Sequence, residues 1–140
     1  MTLAALGALR GCIGHIPADR ALGDVVRDLA VAAARDDVRF PPVVAAELVQ
    51  VRIEISVLTE PQALEPVEPD QIIVGRDGLL VRRGVASGLL LPQVATEHRW
   101  GPDAFLSATC RKAGLAVDAW REPGTRVFTF QAEVFGEADA

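Results

Sequence analysis

The sequence predicts an α+β fold in which two similar units, each a hairpin followed by a helix and a strand, are related by pseudo-two-fold symmetry. Residues 21–36 carry apolar side chains at helical spacing, whereas residues 49–57 alternate strictly between apolar and polar side chains. The order of elements then recurs after a proline-rich segment. A chain of 140 residues, half of them hydrophobic, fits one domain spanning residues 1–140, and we place the division between its two units near residues 60–70.

The first predicted unit begins with a hairpin. Its arms are residues 2–5 and 9–14, joined by a turn at residues 6–8. Pro17 breaks this pattern, and the helix at residues 21–36 then buries one apolar stripe. The stripe consists of Leu22, Val25, Val26, Leu29, Ala30 and Ala33.

A half-buried strand at residues 49–57 closes the first unit. Because side chains alternate across a strand, we expect its four polar residues to share one face and its apolar residues to face the core. The polar residues are Gln50, Arg52, Glu54 and Ser56.

The second predicted unit follows a linker at residues 61–69, which contains three prolines. Asp77-Gly78, between apolar residues 72–74 and 79–81, indicates a hairpin. A turn at residues 84–88, a strand at 89–91 and a short helix at 93–99 follow.

One more helix and one more strand complete the second unit. Pro102 suits the first turn of a helix, and Gly114 suits the position just after its C-terminus. The apolar stripe of this helix is Phe105, Leu106, Thr109, Cys110 and Ala113, which makes Cys110 a core residue. The last predicted strand is residues 127–135, with Phe128, Phe130, Ala132 and Val134 facing the core.

Composition excludes several classes of function. A formal charge of −5 argues against direct, stand-alone nucleic-acid binding. The chain has no apolar run of membrane-spanning length and no signal peptide, so we expect no membrane association. Two cysteines do not make a disulfide scaffold, which favours a reducing, cytoplasmic setting. Because there is no phosphate loop or dinucleotide fingerprint, we predict no cofactor.

The best candidate for chemistry is Cys12. Arg10 and Cys12 share a face if this segment is a strand, and a guanidinium beside a thiol favours the thiolate. Glu54 lies on a strand expected to be close by, where its carboxylate could orient the cation or move a proton. Gly11 and Gly14 permit close backbone approach. The alternative is a buried, inert cysteine with Arg10 paired elsewhere.

A metal site is a weak interpretation of the same residues. Cys12 and His15 have the spacing of a ligand pair, but His98 and Cys110 lie too far apart in sequence to make the second close pair of a structural zinc site. We therefore predict no metal. Gln93, after a strand-ending proline, could bind a ligand or cap the strand end.

Seven segments, spread over nearly the whole chain, resemble the AMMECR family in family order; bacterial and archaeal members are called AmmeMemoRadiSam system protein A. They are Leu-Arg-Gly-Cys-Ile-Gly at residues 9–14, Arg-Phe-Pro-Pro at 39–42, residues 53–58, 75–79 and 88–95, Trp100, and residues 112–115.

The resemblance implies an α+β fold and an association with a Memo-like protein and a radical SAM protein, in a pathway that modifies a biomolecule such as RNA or lipid. It implies no settled activity. Relatives usually carry a helical segment before the position of Met1, so we expect apolar surface here that a second copy of the chain or a partner would cover.

Two functions from different classes remain open. The first is a cysteine-dependent enzyme with Cys12, Arg10 and Glu54 as catalytic residues. The second is a non-catalytic adaptor that binds a ligand or partner, with Gly11, Gly14, Ser56 and Gln93 as the candidate binding residues.

Overall fold

The computed structural model describes residues 1–137 and confirms the α+β class, with two four-stranded antiparallel sheets. The strands are β1 (Thr2–Ala5), β2 (Ala8–Cys12), β3 (Val51–Leu58), β4 (Gln62–Ala63), β5 (Gly78–Arg83), β6 (Ala86–Leu90), β7 (Arg126–Phe130) and β8 (Ala132–Gly136). The helices are α1 (Leu22–Arg35), α2 (Pro92–Glu97) and α3 (Pro102–Lys112), with short 3-10 turns at Ala45–Glu47, Pro69–Gln71 and Ala119–Arg121.

The chain divides into two compact units. Unit 1 comprises Met1–Val57 and the chain from Glu133 onward, and unit 2 comprises Leu58–Ala132. The sheet of unit 1 has the strand order β2-β1-β3-β8, and the sheet of unit 2 has the order β4-β7-β5-β6. Among the described residues, no helix combines the length and the apolar character needed to cross a bilayer.

Helix α1 packs on the sheet of unit 1 at Gly11. Gly11 lies opposite the buried Leu3 on β1, and a Cβ atom added to it would come within 2.1 Å of the Ala33 carbonyl oxygen. Ala33, on the predicted apolar stripe, is buried, as this contact requires. The close approach that the sequence indicated at Gly11 is therefore an approach of helix to sheet.

A β-bulge interrupts the pairing of β1 with β2. Leu3 pairs with Gly11, but Ala4 pairs with Leu9, so Arg10 is an additional residue on β2. The period-two rule that placed Arg10 and Cys12 on one face does not apply across such a bulge.

Strand β3 starts later than the alternation predicted. Arg52, Glu54 and Ser56 lie on the strand at alternate positions, but Gln50 precedes it. The Gln50 N–H donates to the Glu47 carbonyl, which extends the 3-10 turn and delays the strand, and Val49 is 78% exposed. The polar face of β3 therefore contains Arg52, Glu54 and Ser56, but not Gln50, which the prediction included.

The core of unit 2 forms where α3 packs on its sheet. Phe105, Leu106 and Cys110 of α3 are fully buried against Leu79 and Val81 of β5, as the predicted stripe required. Gly114 has a φ of +77°, and the N–H groups of Gly114 and Leu115 donate to the Arg111 and Cys110 carbonyls. This is the Schellman arrangement expected of a glycine that ends a helix.

The hairpin predicted around Asp77-Gly78 is wrong, because residues 72–74 form no strand. The buried Asp77 carboxylate accepts a hydrogen bond from the Ile73 N–H at 2.9 Å and closes a turn instead. The hairpin of unit 2 is β5 and β6, joined around Gly84. Gly78, the first residue of β5, leaves room for the Phe130 ring, since a Cβ atom there would lie 2.3 Å from it.

The single last strand that the sequence predicted is two strands, β7 and β8, in different sheets. Thr59 separates them, since its N–H donates to the Gln131 carbonyl and its hydroxyl accepts from the Gln131 N–H. Both faces of β7 carry a buried side chain. Phe130, on the predicted inward face with Phe128, is 2% exposed, whereas Val127 lies on the other face and joins the helix-covered core.

We expect Gly11→Ala to lower the free energy of unfolding by about 1–3 kcal/mol, the usual range for overpacking, because the new methyl group meets helix backbone that must shift. Urea unfolding followed by circular dichroism measures this. Gly14→Ala is the matched control, since a Cβ atom there meets nothing within 4 Å, and we expect it to change stability by less than about 0.5 kcal/mol. Equal losses for the two variants would contradict the assigned contact.

Candidate functional site

Three side chains form a row across the sheet of unit 1. Thr2 on β1 pairs with Cys12 on β2 and with Glu54 on β3, and residues directly opposite each other share a face. The Thr2 Oγ1 atom lies 3.5 Å from the Cys12 Sγ atom, and Cys12 is exposed. The structure thus places Cys12 and Glu54 on one face, as predicted, with Thr2 between them.

The row has a definite spacing. Neighbouring strands lie about 4.8 Å apart, so Cys12 and Glu54 are separated by about 10 Å across β1. Glu54 is therefore too far from the sulfur to contact it, whereas the Thr2 hydroxyl lies 3.5 Å from it. Ser56 follows Glu54 at the next position of the same face of β3 and is half-buried.

Arg10 holds the chain rather than a substrate. Its guanidinium forms a two-point ion pair with Glu47 at 2.8 and 3.0 Å and also donates to the Pro41 carbonyl at 2.8 Å. Its side chain is only 14% exposed. These contacts tie the bulge in β2 to the segment between α1 and β3. Arg10 is thus paired away from Cys12, as the alternative interpretation of the sequence expected.

The Glu47 carboxylate has a second donor, the Val44 N–H at 2.9 Å. The hydrogen bond from Arg10, and after it the bond from Val44, lower the pKa of Glu47 to about 2. The ionised form of Glu47 is therefore part of the folded structure over most of the pH range.

Asp37 and Arg39 take the place that the sequence assigned to Arg10. The buried Asp37 carboxylate accepts the Cys12 N–H at 2.9 Å and two Arg39 side-chain N–H groups at 2.9 and 2.7 Å. Arg39 also reaches the Cys12 carbonyl at 3.5 Å. The backbone of Cys12 is thus held at both its N–H and its carbonyl.

The charges of this pair reinforce each other. The hydrogen bond from Arg39, followed by the one from the Cys12 N–H, holds the pKa of the Asp37 carboxyl well below its usual range. The Asp37 hydrogen bond raises the pKa of Arg39, and the negative charge of a Cys12 thiolate adds a smaller contribution. Arg39, and not Arg10, is therefore the arginine that hydrogen-bonds to Cys12, at its carbonyl oxygen.

The remaining residues that the sequence singled out do not contact Cys12. Gly14 has no atom near its missing Cβ, and His15 bonds to Asp19 at 2.7 Å. Gln93 is a half-buried residue of α2 in unit 2. Cys110 is buried in the core of unit 2, where burial raises the pKa of its thiol. Within residues 1–137, no three His, Cys, Asp or Glu side chains are grouped so as to hold a metal ion.

Sequence reasoning missed Thr2, Asp37 and the use of Arg39. Thr2 could have been found from a hairpin register that allowed for a bulge. No sequence pattern marks Asp37, which follows helix α1. Arg39 was noted only as part of the Arg-Phe-Pro-Pro segment at residues 39–42. The arrangement as built offers an exposed thiol, a hydroxyl hydrogen-bonding partner and a guanidinium, which are the parts of a nucleophilic cysteine site.

Comparison with known proteins agrees on the family. The AMMECR1 family profile matches residues 1–135. A protein from Thermofilum pendens is 51% identical over 92% of this chain and 62% of its own length. A protein from Methanothermobacter thermautotrophicus is 50% identical over 98% of this chain and 73% of its own length. The chain thus spans less than two thirds of the first of these relatives.

A solved structure gives the same result for the fold. The crystal structure of an uncharacterized protein from Pyrococcus horikoshii superimposes with a TM-score of 0.92 at 44% identity, covering 97% of this chain and 71% of that one.

We expect Glu47→Gln to flatten the acid limb of the stability curve. The folded-state pKa of Glu47 is about 2, below the ordinary 4.5, so its contribution is complete above pH 4.5 and is lost as the pH falls towards 2. A glutamine has no such pH dependence. Urea midpoints measured across this interval test the expectation. Glu54→Gln is the control, because Glu54 is exposed and forms no ion pair within the described residues, and an equal flattening by that variant would contradict it.

We expect Ellman's reagent to modify Cys12 in the folded protein and Cys110 only after unfolding. Cys12 is exposed, whereas the Cys110 thiol is fully buried and its pKa is raised by burial. Cys12→Ser should remove the fast reaction and Cys110→Ala should leave it unchanged. A fast reaction that persists in Cys12→Ser would refute the assignment.

Proposed function

The chain belongs to the AMMECR1 family, and from this premise we propose that it is a cysteine-dependent component of a pathway shared with a Memo-like protein and a radical SAM protein. Cys12 is the reacting group. The observation that carries the proposal is the exposed Cys12 thiol, 3.5 Å from the Thr2 hydroxyl and on a backbone held by Asp37 and Arg39. Hydrogen bonds at both backbone groups fix the Cα atom of Cys12, which limits the positions that its thiol can take, and a nucleophile needs a defined position.

Each residue of the site has a distinct part. Arg39 holds the Cys12 carbonyl, and Asp37 positions both Arg39 and Cys12. The Thr2 hydroxyl lies within hydrogen-bond distance of the sulfur, and either group can be the donor. Glu54 and Ser56, farther along the same face, contact the substrate or move its proton. Arg10 is a positioning residue, because it fixes the bulge that precedes Cys12.

Charge and redox state limit the setting. With a net charge of −5, the chain does not attract a polyanionic substrate by itself, so a partner presents the substrate. Both cysteines are free thiols, and Cys12 must remain so in order to react. A reducing compartment, the cytoplasm, is therefore the setting that we propose.

A non-catalytic adaptor is the second candidate, and the hairpin of β1 and β2 favours it. β2 ends the strand order of its sheet, Leu6 at the hairpin turn is 84% exposed, and Leu9 on β2 is also exposed. Asp37 and Arg39 occupy the backbone of Cys12 at one end of β2, so it is the end near Leu9, beside exposed apolar side chains, that can accept a strand from a partner or from a second copy of the chain.

The proposal is tested by trapping. We expect the chain, co-expressed with the Memo-like and radical SAM proteins of one organism, to carry a covalent adduct on Cys12 that intact-mass and peptide analysis detect. Cys12→Ser should abolish the adduct. If Cys12→Ser keeps full pathway activity and still co-purifies with both proteins, the adaptor function replaces the enzyme.

The role of Arg39 has a separate measurement in the Cys110→Ala background. We expect Arg39→Gln to slow iodoacetamide alkylation of Cys12 at neutral pH by about two- to fivefold, the range of a partly exposed charge pair. Arg35→Gln is the matched control, since Arg35 is exposed in the last turn of α1 and should leave the rate unchanged. Equal rates for the two variants would remove Arg39 from the site.

A further inference from the structure

Strand β6 lies at one edge of the sheet of unit 2. The other edge strands have features that limit further pairing: β2 contains Arg10 and a bulge, β8 contains Glu133, and β4 has only 2 residues. β6 has neither a charged residue nor a proline, and it pairs with β5 without a bulge. We propose that the edge of β6 binds an extended segment of a partner protein, with an acidic side chain opposite Ser87 and an apolar side chain opposite Leu89.

The hairpin of β5 and β6 decides which backbone groups of β6 point outward. Its loop consists of residues 84–85, so Arg83 and Ala86 are the hydrogen-bonded pair beside the turn. Because such pairs alternate along an antiparallel ladder, the N–H and carbonyl groups of Ser87 and Leu89 point away from β5. No other backbone hydrogen bond within residues 1–137 uses these groups. They are therefore available to an added strand.

Arg82 provides the charge complementarity. Ser87 lies directly opposite Arg82 on β5, so their side chains share one face of the sheet. On its other side Arg82 lies opposite Arg126, a like charge, and no carboxylate within residues 1–137 forms an ion pair with Arg82. The Arg82 guanidinium lies 5.8 Å from the Phe128 ring, near the limit of a cation–π contact, which leaves it free to move.

The side chains of β6 on this face define what the added strand carries. Ser87 is small and exposed, so the Arg82 side chain can extend over it to a carboxylate on the next strand. Leu89 is half-buried and lies opposite the buried Leu80, so an apolar side chain beside Leu89 extends an apolar row. The two recognised side chains are thus at alternate positions of one extended segment.

Helix α3 favours an isolated segment over a second copy of the chain. A Cβ atom added to Gly88 would lie 2.5 Å from the Ala113 nitrogen, so the end of α3 lies directly on β6. If two copies paired Ser87 with Leu89 about a two-fold axis at Gly88, their α3 helices would be about 5 Å apart there, the spacing of two strands. Packed helices need about 8–10 Å, whereas an extended peptide carries no helix.

Amide exchange in ¹⁵N-labelled protein tests the site, with the peptide acetyl-Thr-Val-Thr-Glu-Thr-amide as the probe. In an antiparallel pairing its valine lies opposite Leu89 and its glutamate opposite Ser87. We expect saturable shifts of β6 signals and slower exchange of the Ser87 and Leu89 N–H groups. Exchange at Ala86 and Gly88 should be unchanged, because their N–H groups already bond to β5. The peptide with lysine in place of glutamate should bind at least about fivefold more weakly, since an attraction becomes a repulsion.

Two variants separate backbone pairing from charge. Ser87→Pro should weaken binding at least about fivefold, because it removes an outward N–H without breaking the bond to β5, whereas Ser87→Ala should not. Arg82→Glu should reverse the preference, so that the lysine peptide binds more tightly. Arg35→Glu is the matched control, since Arg35 is an exposed residue of α1 in unit 1 and should leave the preference unchanged.

Several results would overturn the proposal. They are the absence of saturable binding, unchanged exchange at Ser87 and Leu89, full binding by Ser87→Pro in a variant whose circular dichroism spectrum is native, and an equal effect of Arg35→Glu. Exchange at Ser87 and Leu89 that slows with protein concentration and without peptide would also overturn it, because a second copy would then occupy the edge.

Discussion

The Asp37 carboxylate is the interaction on which the geometry around Cys12 depends. It accepts the Cys12 N–H and the Arg39 guanidinium together, from a position just after α1. A buried carboxylate must be paired and hydrogen-bonded to remain charged, and each of its donors here comes from a segment that the site needs. One side chain therefore fixes the end of β2, the segment after the helix and the cation near the sulfur.

The ion pair of Arg10 and Glu47 also joins separate segments of the chain. Their ion pair, extended by the Pro41 carbonyl and the Val44 N–H, joins the bulge in β2 to the turn before β3. Two acid–base pairs thus brace neighbouring parts of one strand, and only the pair at Asp37 is also in contact with Cys12. The sequence alone could not show which arginine contacts Cys12. Arg10 is two residues from Cys12 in the chain, whereas Arg39 is brought to it only by the fold.

The sequence was most informative where one short-range pattern decides the structure. The stripe of α3, the proline at its start and the glycine after it all follow from helical geometry. Helix α1 also forms as predicted, but Ala33 is the one buried residue of its stripe and Leu22 is 56% exposed. The sequence was least informative where a distant side chain overrides a local signal. Asp77 closes a turn with Ile73 instead of a hairpin, and Thr59 divides the final strand at Gln131. The buried face of β7 could not be assigned either, because Leu80 and Phe130 are buried on the face opposite to Val127.

The bulge at Arg10 decides which side chains of β2 lie on each face of the sheet. In a regular hairpin with the same turn, Leu3 would lie opposite Arg10, and Thr2 would lie opposite Gly11. A charged side chain would then stand beneath α1, and a glycine would stand in the row that now holds the thiol. Losing the bulge without shortening the hairpin would therefore exchange the two faces while leaving the amino acids of the motif unchanged. The face of the sheet on which Cys12 lies therefore depends on the bulge as well as on the residue types of the motif.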